Sequence, residues 1–181
     1  METEAQLLNS IRRGDRDARR RLYDRFVPLC TATALRYLGE SDEVRDVLQD
    51  SFVRIFGALD SFRHQGEGSL KSWIATIVAH QACDFLRSTR RIDFIDIDVD
   101  MLDEETEPPI EEMPPDVLMA LIRRLPSGCR TVLNLHVFER MPHKDIALRL
   151  GITPDTSASQ FSRAKKQLAL LIENYQKTGK I

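Results

Sequence analysis

Apolar positions recur at helical spacing along most of this 181-residue chain. Residues 17–38 place Ala18, Leu22, Phe26, Leu29, Cys30 and Leu38 on such a pattern behind a Gly14-Asp15 break, and Pro28, which lacks a backbone donor, is expected to kink or interrupt the helix. After Gly39, Ser41 is placed to cap a second helix with Val44, Val47, Leu48, Phe52, Ile55, Phe56 and Leu59 along one side. A glycine-bearing loop over 60–68 leads to a third helix over 69–90, with Leu70, Trp73, Ile74, Ile77, Val78, Gln81 and Phe85 towards its buried side. Farther on, Leu118, Leu121, Ile122 and Leu125, then Val132, Leu133, Leu135, His136 and Val137, give two amphipathic helices separated by Pro126-Ser127-Gly128.

The last two helices carry the sharpest local signal. Pro142 to Leu150 reads as a short helix, Gly151 supplies a left-handed turn, and Thr153-Pro154 gives an N-cap followed by proline at the first helical position. Two helices joined through a short glycine-bearing turn form a helix-turn-helix, completing a four-helix domain. Ser157, Ser159, Gln160, Arg163 and Lys166 are expected to be exposed on the second helix, where Gln and Arg can pair with bases and Ser and Lys with phosphates. An ordinary helical hairpin with solvated basic residues is the alternative.

Charge then changes the picture. Residues 92–118 hold eleven acidic groups and no Lys or Arg, whereas residues 1–91 carry 15 basic against 13 acidic groups and residues 119–181 carry 11 against 4. The overall charge of −2 therefore hides two basic modules, of +2 and +7, behind one acidic segment. Pro108-Pro109 and Pro114-Pro115 inside that segment favour a division into two small domains. The expected fold is all-α: two small helical domains joined by an acidic, proline-containing linker, the second being the four-helix helix-turn-helix module. Cys30, Cys83 and Cys129 form no CxxC, and no run reaches the length of a membrane span, so a soluble protein of a reducing cytoplasm is expected.

Catalysis has no visible basis, since phosphate loop, nucleophile motif and paired carboxylates are all missing from the pattern. An enzyme, a cofactor and a metal are therefore not expected. His80 and Cys83 are ligand types on one helix, but a third and fourth partner are not visible, and His64, His136 and His143 form no closer cluster in sequence. The polar face at Asp42, Glu43, Arg45, Asp46, Gln49, Asp50 and Arg54 reads from composition as solvated helix surface, with an interface as the alternative. Cations at Lys71, Arg87, Arg90 and Arg91 suit either the helix dipole or single-stranded nucleic acid beside an aromatic-bearing loop.

Four segments in this order resemble the extracytoplasmic-function sigma factors of bacterial RNA polymerase: DVLQDSFVRIF at 46–56, GSLKSWIATIVAHQACDFLRSTRR at 68–91, LPSGCRTVLNLHVFERMPHKDIALRLGI at 125–152 and TPDTSASQFSRAKKQL at 153–168. The resemblance implies region 2 over 1–91, a flexible linker over 92–115 and region 4 over 116–181. It implies that Asp46, Leu48, Gln49, Asp50, Phe52 and Val53 bind the clamp helices of the polymerase largest subunit. The loop from Ser61 to Gly68, with Phe62, Arg63 and His64, would capture a flipped base of the promoter −10 element. Lys71, Trp73, Thr76, His80, Asp84, Arg87, Arg90 and Arg91 would line the −10 helix, with Trp73 equally placed for the core. Lys144, Asp155, Thr156, Ser157, Ser159, Gln160, Arg163 and Lys166 would read the −35 element. Further implied partners are the polymerase flap region and an anti-sigma protein. The family most often has Asn at His80, commonly Gly at Asp155 and often a basic residue at Ala158, so the −35 preference is not carried over from relatives.

In the linker, apolar residues alternate with Asp93, Asp96, Asp98 and Asp100, which reads as an extended segment. By the resemblance it threads near the polymerase active centre or RNA exit path, and an acidic tether that avoids DNA is the alternative. Two rival functions are a helix-turn-helix regulator that never joins polymerase and a helical adaptor that binds proteins alone.

Overall fold

The computed structural model describes residues 2–89, 91–94 and 113–181, and every regular element among them is helical. Most of the acidic segment, with Asp96, Asp98 and Asp100, lies outside the described residues, as does Arg90. By internal packing the chain divides into Met1–Asp84 and Phe85–Ile181.

The N-terminal unit is built from α1 (Glu4–Arg12), α2 (Arg16–Leu38), α3 (Glu43–Ala58) and most of α4 (Ser69–Ser88). Helix α1 was not expected from the sequence. Its start is nonetheless written there as a capping box: Thr3 accepts the backbone N–H of Gln6 at 3.2 Å and the Gln6 side chain accepts that of Thr3 at 2.9 Å. Leu7, Leu8 and Ile11 of α1, Leu22, Phe26, Cys30 and Tyr37 of α2, Val47 and Ile55 of α3, and Leu70, Ile74 and Val78 of α4 are all buried in the interior. Helix α2 runs through Pro28 without the interruption that was one of the two expected outcomes. Pro28 and Asp24 are both exposed, so the donor lost at Pro28 lies on the solvent side of the helix. The N-cap of α3 is Asp42 rather than Ser41, and it makes no side-chain cap.

The C-terminal unit contains α5 (Pro115–Arg123), α6 (Ser127–Leu133), α7 (His143–Leu150) and α8 (Pro154–Thr178). Helix α6 opens into a π-helical turn over Asn134–Phe138. Val117, Leu121, Ile122, Leu125, Cys129 and Leu133 close around Ala164, Leu168 and Ile172 of α8. Burying a side chain such as Leu121 or Ile172 contributes about 1.5–3 kcal/mol. The three cysteines are buried and form no disulfide, and burial pushes the Cys30 thiol up to about 12, which makes it a packing group rather than a nucleophile. Among the described residues no helix is long and apolar enough to cross a membrane.

Candidate nucleic-acid and protein interfaces

The outward side of α3 forms one wall of an open groove of about 1250 Å³. Asp46, Leu48, Gln49, Phe52 and Val53 line it, and Asp50 is exposed on the same helix outside it. Val53 is two-thirds exposed and gives the groove an apolar lip. Arg45, on the polar face noted in the sequence, lines the same groove, and sequence reading missed Tyr23 and Phe56 there. Tyr23 packs against Phe52 in a tilted pair with centroids 4.5 Å apart and remains 43% exposed, so it adds an aromatic floor with a polar tip. An exposed aromatic on the outer side of α2 was the available signal.

Beyond α3 the chain turns through 61–68. Gly66 and Gly68 hold φ of +109° and +91°, which side chains resist, and the Ser69 hydroxyl ties the turn by donating to the Gly66 carbonyl at 2.6 Å. Phe62 points inward, 9% exposed, against Trp73 at 4.8 Å, so of the two aromatics Phe62 is an anchor and Trp73 a half-buried shelf. Arg63 and Lys71 are exposed at the rim. Along α4, Thr76, His80 and Asp84 are half-buried at intervals of four residues on one face; Arg87, near the end of the helix, and Arg91, beyond it, are exposed. The Arg91 guanidinium lies 5.9 Å from the Phe85 ring centroid.

Sequence reasoning also missed the polar group behind this loop. Glu4, His64 and Glu67 bring their side-chain ligand atoms within 4.8 Å of one another. The oxygens of Glu4 accept the backbone N–H groups of Gly68, Leu70 and Lys71, each at 3.0 Å, so they serve as an N-terminal cap for α4. His80 and Cys83 are not part of that group.

The helix-turn-helix is present as α7, the turn and α8. Gly151 closes α7 at φ +71°, and Thr153 caps α8 by accepting the Thr156 N–H at 3.0 Å. Two expected readers are displaced. Ser157 and Gln160 were expected to be exposed, yet they are 0% and 1% exposed. Their positions continue through Ala164, Leu168 and Ile172, so they belong to the core face of α8. The Cys129 thiol donates to Gln160 Oε1 at 3.2 Å, and Ser157 Oγ pairs with His143 Nδ1 at 2.9 Å. The outer stripe of α8 instead presents Asp155, Ala158 and Ser162 exposed, with Thr156, Ser159, Arg163 and Lys166 half-buried beside them; Lys144 is exposed on α7. A second correction concerns histidine: His136 and His143, apparently unrelated in sequence, stack with centroids 4.3 Å apart. His136 lies within the π-helical turn and His143 is the first residue of α7.

Comparison with known proteins adds the family. Residues 22–92 match Sigma-70 region 2, and residues 111–168 match Sigma-70, region 4. The chain is 28% identical to the RNA polymerase sigma-H factor of Pseudomonas aeruginosa, over 92% of each protein. It is 25% identical to the ECF RNA polymerase sigma-E factor of Haemophilus influenzae, over 92% of this chain and 93% of that one. A solved structure of the sigma factor RpoE of Bartonella quintana with the anti-sigma factor NepR is 20% identical, covering 87% of this chain and 98% of the other, at a TM-score of 0.49. With an all-helical fold in two units, regions 2 and 4 in order, and relatives aligned over nearly their full length, the chain belongs to the extracytoplasmic-function sigma factors and is an alternative RNA polymerase sigma factor.

Proposed function

We propose that this sigma factor binds core polymerase through α3, opens promoter DNA at the −10 element with the 61–68 loop and α4, and reads the −35 element with α7 and α8. Region 2 is assigned to 1–91, the linker to 92–115 and region 4 to 116–181. The observation that carries the reading is the ordered pair of region matches, each falling on a helical segment with exposed polar and basic groups.

Core binding is assigned to the groove wall: Asp46, Leu48, Gln49, Phe52 and Val53, with Asp50 beside it. An apolar floor rimmed by charges suits a helical partner such as the clamp helices. Anti-sigma control is proposed on the same ground, because a partner seated in that groove would exclude polymerase. The flap region is the proposed polymerase contact of region 4.

Strand separation without ATP requires the lost base stacking to be offset by binding one strand, and extruding a base costs a few kcal/mol. Arg63, His64 and Lys71 at the loop, with Thr76, His80, Asp84, Arg87 and Arg91 along α4, are the proposed −10 contacts, and Trp73 is the stacking shelf. Arg90 joins them by sequence position. On α8 the proposed −35 contacts are Asp155, Thr156, Ser159, Arg163 and Lys166, with Lys144 on phosphate. Asp155 in the first turn suits the helix dipole and opposes phosphate, which gives this chain a −35 preference of its own. The linker is proposed to run towards the polymerase active centre, and the protein to act in the cytoplasm.

The test is transcription from pooled genomic promoter fragments with purified core polymerase, with and without this protein. Discrete transcripts only in its presence are expected. Their absence, with the polymerase active under another sigma factor, would favour a duplex-binding regulator or an adaptor. Replacing Asp93, Asp96, Asp98 and Asp100 by Asn is expected to alter short abortive RNAs while leaving promoter binding intact; an unchanged RNA ladder would reject the threaded linker.

A further inference from the structure

A loop with two left-handed glycines gains little shape from its own backbone, yet both of its ends are fastened to α1. At the far end, the Glu4 carboxylate is 2% exposed and takes the N–H groups of Gly68, Leu70 and Lys71 at 3.0 Å each. These are donors that an α-helix start leaves without intrahelical partners, and an anion there is favoured by both charge-assisted hydrogen bonding and the helix dipole. Glu67 returns the contact: its carboxylate oxygens accept the backbone N–H of Glu4 at 3.2 and 3.3 Å, while Arg25 donates to Glu67 at 3.3 Å. Two helix starts more than sixty residues apart therefore cap each other, a long-range counterpart of the local capping box. At the near end, Arg12 Nη2 donates to the Phe62 carbonyl at 2.9 Å. His64 Nε2 stands between the two ends, 3.7 Å from Glu4 Oε2. Glu4 and Arg12 are the first and last residues of α1, about 12 Å apart along a rigid axis, so one helix sets the span of the loop.

We propose that Glu4, assisted by Arg12, is a positioning residue for promoter opening, fastening the 61–68 loop in its working shape before single-stranded DNA arrives. This rests on the reading of that loop as the −10 contact. Both residues precede residue 22, where the region 2 match begins, so α1 becomes a functional part of the unit rather than a leader to it. Preorganisation matters here because a loop ordered only on binding loses part of its affinity to the ordering step.

The test assembles full-length wild type, Glu4→Gln, Arg12→Gln and Arg63→Ala with core polymerase. Each holoenzyme is titrated with a single-stranded oligonucleotide carrying the non-template −10 sequence of a promoter mapped by transcription, and core affinity is measured alongside, well below every melting temperature. Hydrogen exchange at Gly68, Leu70 and Lys71 is followed in the free chain. Glu4→Gln is expected to speed exchange at those amides and weaken the oligonucleotide roughly tenfold with core affinity unchanged. Arg12→Gln, an exposed residue whose variant is expected to fold, should weaken it about threefold. Faster exchange with unchanged oligonucleotide affinity in Glu4→Gln, or equal losses in both affinities, overturns the proposal. If Glu4→Gln does not fold, an unchanged oligonucleotide affinity in Arg12→Gln overturns it. If Arg63→Ala also leaves the oligonucleotide affinity unchanged, the −10 reading of the loop falls and this proposal falls with it.

Discussion

Helix α8 of the C-terminal unit and the 61–68 loop of the N-terminal unit present their candidate DNA-contacting residues in opposite ways. In the C-terminal unit the presenting helix is also a core helix: α8 sends Ser157, Gln160, Ala164, Leu168 and Ile172 inward and keeps only a narrow stripe for DNA. In the N-terminal unit the presenting loop gives one side chain, Phe62, to the interior and is otherwise held by polar contacts from α1. Packing fixes the first surface, and hydrogen bonding to a separate helix fixes the second. The first should therefore fail with the fold of its unit, and the second should be separable from it.

The largest expected effect breaks the C-terminal side of that contrast. Ile172→Ala, at a fully buried position, should cost about 2–5 kcal/mol in urea unfolding of the full chain and remove −35 duplex binding with it. A loss below about 1 kcal/mol would show that α8 is not the core helix described. Gln160→Ala comes next, at about 1–3 kcal/mol, because it empties a buried amide position and strands the Cys129 thiol. Ser162→Ala on the outer stripe should change stability by less than about 0.5 kcal/mol. The reverse pattern, with Gln160→Ala altering base preference at unchanged stability, would restore Gln160 as a reader. Gly151→Ala should cost about 1 kcal/mol from the left-handed turn at φ +71°, a strain to be read as a lowered melting temperature.

What the sequence disclosed follows the same division. The α7–α8 turn was legible because all its signals, Gly151, Thr153 and Pro154, lie within a few residues of one another. The interior place of Gln160 was legible too, by its spacing to Ala164 and Leu168, although an amide on a basic helix also has the chemistry of a base reader. Helix α1 carried a capping box at Thr3 and Gln6 that was overlooked. The pairing of Glu4 with Gly68 and Glu67 had no local signal, since sixty residues and two helices separate the partners. Pro28 left kink and interruption both open because the outcome depends on whether the lost donor lies on the solvent side of the helix, which is set by tertiary exposure.

The smallest expected effect sharpens the contrast through pH. His143 holds Ser157 through Nδ1 at 2.9 Å and stacks on His136, whose own Nδ1 pairs with the Met141 carbonyl at 2.9 Å. Burial, and then the neighbouring His136 charge, lower the His143 pKa from its ordinary value of 6.5. Above that value both folded and unfolded chains carry a neutral ring, and this site contributes no pH dependence. As pH falls below it, the unfolded chain takes up a proton that the folded chain resists until its lower pKa, so stability falls. The melting temperature of the C-terminal transition should therefore drop between about pH 7.5 and 5.5, and His143→Gln should flatten the drop relative to wild type. Parallel melting curves for the two proteins across that range would mean that the stacked pair does not couple protonation to the fold of the −35-reading unit. A flattened curve would place a titratable contact directly beneath the first turn of α8, in the unit whose DNA-facing surface depends most on its core.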